Sequence, residues 1–130
     1  MLRKTVTHEG SHPVILVDSI TKVEPQDVGA IIVSASHGGQ SSGEFALAVP
    51  LTAVFFNDAG IGKDEAGVAG LAMLEERGVP SCAVSHESGR IGDAADMWEH
   101  GIVSRVNDAA ARKGASAGMG VQDAVRTLAK

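Results

Sequence analysis

Three loops of this chain carry the side chains that can move protons or grip anions: SASHGGQSSG (34–43), NDAGIGKDEAG (57–67) and SHESGRIGD (85–93). His37 and His86 are the acid–base candidates, because imidazole is the side chain that changes charge near neutral pH. Asp58 is the carboxylate that would orient one of the rings. Ser36 and Ser85, each next to a histidine, are the candidate nucleophiles. Arg90 suits a carboxylate or phosphate held through two parallel N–H bonds, and Lys63 supplies a single charge. Gly38, Gly39, Gly60 and Gly62 allow the backbone to turn sharply or come close to a ligand. Asn57 and Ser88 complete the candidate ligand-binding set.

Each residue also has a structural alternative. A histidine after a strand can bond to its own loop, and Gly-Gly can be a tight turn. Arg90 can pair with Asp93 or Asp96 at the surface, and Lys63 can be solvated at a helix start. His37, Asp58 and His86 together would also suit a divalent metal with open positions for substrate. No His-x-x-x-His or similar spacing puts two ligands on one element, so metal-free proton transfer is the preferred reading and no cofactor is expected.

Two nucleotide motifs fail. GIGK (60–63) lacks the first glycine of a phosphate loop, and Asp64 replaces its Ser or Thr. The dinucleotide pattern fails too, with Glu65 where the third glycine belongs. Two short stretches resemble known families. AIIVSASHGG (30–39) resembles the strand-then-His-Gly element of caspase-like cysteine peptidases, whose nucleophilic cysteine follows the next strand; here that place reads FFNDAG (55–60). AVSHESGRIGDA (83–94) is similar to the loop around the phosphorylated histidine of the dihydroxyacetone-kinase phosphotransfer subunit. In that family the loop follows the first strand, not the fourth. Neither likeness extends beyond its motif, and neither assigns a family.

The elements that must position these loops are written in the hydrophobic pattern. Nearly continuous apolar runs at Val14–Val17, Ala30–Ser34, Ala53–Phe56, Cys82–Ser85 and Ile102–Val106 read as strands covered on both faces. Helices are predicted from a Ser41/Glu44 capping box to Pro50, over Lys63–Arg77, over Asp93–His100, from an Asn107 cap to Lys113, and over Val121–Ala129. Small residues at 66–72 give the long helix a surface suited to close approach by another element or subunit. The alternation implies an α/β fold: a single three-layer domain with a mainly parallel sheet of four to five strands, Rossmann-like in the broad sense. The link 18–29 is short for a parallel crossover, which makes the first strand a candidate antiparallel edge. Residues 1–12 read as a mobile polar segment. Ligands of such sheets bind beyond the carboxyl ends of the strands, where all three loops fall.

Composition sets the outer bounds. A net charge of −5 without a basic stripe, and three Phe, one Trp and no Tyr, argue against a nucleic-acid partner. No apolar run is long enough to span a bilayer, and no apolar leader follows MLRKTVTHEG. Cys82 is the single cysteine, so no internal disulfide forms. The expectation is a cytoplasmic protein without a membrane partner, and the sparse aromatic core favours a homo-oligomer. The expected function is an enzyme or enzyme subunit acting on a small anionic or carbonyl-bearing metabolite by His-based acid–base chemistry, of hydrolase, lyase or isomerase type. The alternative is a ligand-sensing or phosphotransfer partner that exposes one histidine.

Overall fold

Alternate residues of each apolar run are buried on opposite faces, and this double burial builds a central sheet. The structure is a computed structural model that describes the backbone of residues 1–130 and every side chain except that of Asp64. Its strands are β1 (Arg3–Glu9), β2 (His12–Val17), β3 (Ile31–His37), β4 (Ala53–Asn57), β5 (Ser81–Val84) and β6 (Val103–Val106), side by side in chain order. The inner strands β2 to β5 are parallel, while β1 and β6 pair antiparallel at the two edges. The helices are α1 (Gln40–Leu47), α2 (Ala69–Glu76), α3 (Ala94–His100), α4 (Asp108–Arg112) and α5 (Val121–Leu128).

Chain order decides which face each connection covers. Parallel crossovers share one handedness, so successive steps in one direction must lie on one face. Accordingly Ile20, Ala46, Val49, Leu51, Leu71 and Leu74, from the three connections between β2 and β5, pack on Ile15, Ile32, Val54 and Phe56. The opposite face buries Val14, Leu16, Ile31, Val33 and Phe55 under Ala94 and Met97 of α3 and Val121, Ala124, Val125 and Leu128 of α5. The result is three layers. The connection after β4 leaves to one face and that after β5 to the other, so the crevice between their carboxyl ends is the place where an α/β sheet binds ligands.

The sheet is therefore mixed and six-stranded, not mainly parallel with four to five strands. Its sequential order also departs from the Rossmann arrangement, which reverses direction at its centre. Val14–Val17 belongs to an inner strand parallel to β3 rather than an antiparallel edge. Two 3-10 turns, Ile20–Lys22 and Pro25–Asp27, make the short crossover possible. The edge is β1, formed from the segment expected to be mobile. Its hairpin turns through Gly10 at φ 62, and Arg3 grips the buried Asp27 with two N–H bonds of 2.8 and 2.9 Å.

Two helix starts also differ from expectation. Gly39, not Ser41, caps α1, and Glu44 is exposed, so no capping box forms. The predicted helix over Lys63–Arg77 divides into a 3-10 segment, Lys63–Val68, and α2. The division follows from Glu65, held at φ 57, and from the Gly67 amide, which turns back to the Ile61 carbonyl at 2.6 Å. Asp93 and Asn107 cap α3 and α4 as their positions predict, accepting from the amides of Asp96 and Ala110.

Candidate functional site

At the crevice between β4 and β5 the chain brings Asp58 and His86 together. Asp58 follows β4 and is 4% exposed. One carboxylate oxygen, Oδ1, accepts from the amides of Gly60 (2.8 Å) and His86 (3.1 Å) and from His86 Nδ1 (3.2 Å). The other, Oδ2, accepts the Ser104 hydroxyl at 2.6 Å. Burial pushes this carboxyl up, but the bonds from Ser104, Gly60 and His86 together bring it below its usual value. An ionised carboxylate only accepts, so Nδ1 carries a proton, and in the neutral ring that tautomer leaves the lone pair on Nε2. The His86 side chain is 47% exposed. The pair is thus an oriented imidazole with a buried carboxylate behind it.

Ser104 was not among the residues the sequence singled out. It reaches Asp58 because β6 is antiparallel: the strand starts at the carboxyl edge, and its second residue lies beside the end of β5, from where its hydroxyl reaches Asp58 at the end of β4. A parallel sixth strand would have put Ser104 at the far end of the sheet. No local signal in an apolar run tells which way it points.

The loop that carries Asp58 is strained. Ala59, Ile61 and Glu65 have φ of 51, 67 and 57, and they are the positive-φ non-glycine residues among those described. A β-branched residue such as Ile61 seldom adopts this conformation, and such strain gathers at functional loops. Gly60 and Gly62, at φ 78 and 76, supply the turns between them. A Cβ on Gly60 would lie 3.5 Å from the His86 ring, so this loop sits directly against the imidazole.

Other predicted site residues hold the frame. Buried Asn57 donates to the Gly89 carbonyl (2.8 Å) and accepts the Ala59 amide (2.8 Å), tying the β4 and β5 loops. Ser88 bridges the Ser85 carbonyl and the Ile102 amide, and Ser85 accepts the Glu87 amide. Ser36 accepts the Ile20 amide at 3.0 Å. Gly38 approaches backbone and Gly39 the imidazole of His37: a Cβ on Gly38 would meet the Gly67 carbonyl at 2.6 Å, and one on Gly39 would meet His37 Nδ1 at 2.8 Å. Arg90 meets Asp96 through its backbone N–H, and the side chains of Arg90 and Lys63 lie exposed at the loop mouths.

His37 ends β3 beside Asn57, but lines a neighbouring cleft of about 340 Å³ with Asp18, Ser36, Ser42, Phe45 and Ile91. Asp58 and His86 do not line that cleft. The three groups considered for a metal are therefore split between two places. Among the described residues, no group of three His, Cys, Asp or Glu side chains is placed to hold a metal ion. A larger cleft of about 580 Å³ lies elsewhere, among Glu9, Asp123, Arg126 and Lys130, away from all of these groups. Burial pushes the Cys82 thiol up to about 12, so it packs as a small apolar side chain. No helix among the described residues is long and apolar enough to cross a membrane. Comparison with known protein families, with curated proteins and with solved structures finds no match for this chain.

Proposed function

We propose that His86 transfers protons in an enzyme, or enzyme subunit, acting on a small anionic or carbonyl-bearing metabolite by hydrolase, lyase or isomerase chemistry. The observation that carries this reading is the 3.2 Å contact between His86 Nδ1 and a buried carboxylate. Asp58 fixes the ring and stabilises the imidazolium formed when Nε2 takes a proton; Nε2 then returns that proton to the leaving or product atom. A positioned acid–base group of this kind accelerates a reaction by about 10²–10⁴-fold. Lys63 and Arg90 are the charges available to an anionic substrate, and the reading uses no cofactor. We further propose that the protein acts in the cytoplasm as a homo-oligomer; sedimentation velocity checks its oligomeric state.

Thermal unfolding across small carboxylates, phosphates, carbonyl compounds and divalent metals tests it. A ligand at a hundred times its Kd stabilises the fold by about 2.7 kcal/mol. The expected result is a raised midpoint for at least one compound, lost in His86→Ala and Asp58→Asn. If no compound moves the midpoint, the small-molecule enzyme is abandoned. A second reading follows from the exposure of His86: its Nε2 accepts a phosphoryl group from another protein. Incubation with phosphoramidate and mass spectrometry would then find phosphate on His86, and its absence would remove that reading.

A further inference from the structure

The cleft at the carboxyl ends of β2 and β3 has the features of a binding site in its own right. Its volume, about 340 Å³, falls in the range of roughly 300–1,000 Å³ typical of small-molecule sites. Phe45 of α1 and Ile91 of the loop after β5 line it, each 47% exposed, together with the buried Ile20 and Ala35. They form an apolar wall, with Met1 also in the lining, that the described residues leave open.

Ser42 shows what the cleft lacks. This residue is 5% exposed, and its hydroxyl has no hydrogen-bond partner among the described residues, yet no fully enclosed side-chain polar atom among them goes unpartnered. Its hydroxyl therefore keeps a small accessible area, and Ser42 itself is part of the cleft lining. A hydroxyl so nearly buried is stabilised when an acceptor or donor completes it. The Ser41 hydroxyl and the His37 ring lie in the same lining, exposed and likewise without a partner among the described residues. Asp18, the carboxylate of this lining, uses both oxygens on the amides of Leu2 (2.7 Å) and Ala94 (3.0 Å). The groups left for a ligand are two hydroxyls and an imidazole, each able to donate a hydrogen bond, beside an apolar wall.

We infer that this cleft binds a small monocarboxylate with an aromatic or branched aliphatic body. The carboxylate sits at Ser41, Ser42 and His37, and the body lies against Phe45 and Ile91. This inference does not rest on proton transfer at His86.

Calorimetric titration with phenylacetate and with isovalerate tests it, on the parent protein and on Ser42→Ala, Phe45→Ala and His86→Ala, each checked for folding by circular dichroism. At least one acid should bind at a single saturable site. Its affinity should fall about fivefold in Ser42→Ala, the equivalent of one hydrogen bond, and about tenfold in Phe45→Ala. His86→Ala should leave it unchanged. Saturable binding of neither acid overturns the inference. So does affinity equal to the parent's in both Ser42→Ala and Phe45→Ala, or a loss confined to His86→Ala, which would move the acid to β5.

Discussion

The candidate site turns on a single carboxylate whose charge is held against its burial. Asp58 stays ionised because Ser104, Gly60 and His86 bond to it, and the Ser104 bond, at 2.6 Å, is the shortest of these. In Ser104→Ala the burial remains and this bond is lost, so the Asp58 carboxyl should titrate at higher pH, read by carboxyl carbon NMR. An unchanged midpoint would remove Ser104 from the site. Losing a hydrogen bond to a charged group should also cost about 1.5–3 kcal/mol of stability. Asp58→Asn probes the other end of the pair. Nitrogen NMR should find the His86 proton fixed at Nδ1 in the parent protein and shared between both nitrogens in the variant. Asp58 and His86 were legible in the sequence because polar residues at buried strand ends stand out against the apolar runs before them. Ser104 was not, since its partner depends on strand direction. Phe45 and Ile91 were missed for a similar reason: single apolar residues in loops and helices look like core until the fold leaves them outside.

At the scale of elements, glycine was the residue most easily misread. Gly38 and Gly39 suggest a loop opened for a ligand, but Gly38 admits the backbone of the segment entering α2 and Gly39 lies against the His37 ring. The Gly70 amide donates to the Gly38 carbonyl at 2.7 Å, and a Cβ on Gly70 would meet the Gly39 and Gly38 carbonyls at 2.9 and 3.1 Å. Gly70→Ala should therefore destabilise the protein, although alanine is the better helix former by about 1 kcal/mol. Backbone must shift to make room, at a cost of roughly 1–3 kcal/mol, so the net loss is modest but of opposite sign to propensity. Urea unfolding reads that sign directly. Asn107 shows the converse, a residue whose local role was clear and whose wider role was hidden. It caps α4 as predicted, and its side chain also bonds the Ser81 amide and the carbonyls of Leu71 and Val79, joining α2, β5 and α4. Asn107→Ala strands those groups and should cost about 3 kcal/mol, more than the ~1 kcal/mol of an ordinary cap. The hairpin of β1 left a weaker trace, a Gly-Ser turn between polar stretches, because an edge strand with water on one side needs no apolar run.

For the whole molecule, the decisive link is between that edge strand and the crossover beneath it. The central strands were readable since each is buried on both faces, but their number and the direction of the outer two depend on pairings between distant segments. Arg3 and Asp27 make one such pairing, across twenty-four positions. The Arg3 guanidinium holds the Asp27 carboxyl below its usual value, against burial and with help from the Glu24 amide. Asp58 is lowered too, by its own bonds. For both groups the folded pKa lies below the unfolded one, so on acidification the unfolded chain takes up protons first. Their contribution to stability is complete above about pH 4 and is lost as pH falls through the folded values. Asp27→Asn should therefore be less stable than the parent near neutral pH and should lose less stability on acidification, measured by urea unfolding from about pH 7 to pH 3. Parallel pH curves for the two proteins would separate the Arg3–Asp27 pair from the acid response. Because that pair fastens β1, amide exchange across residues 3–9 should quicken in acid before exchange in β3 and β4, whose amides lie in the core and open only when the sheet does.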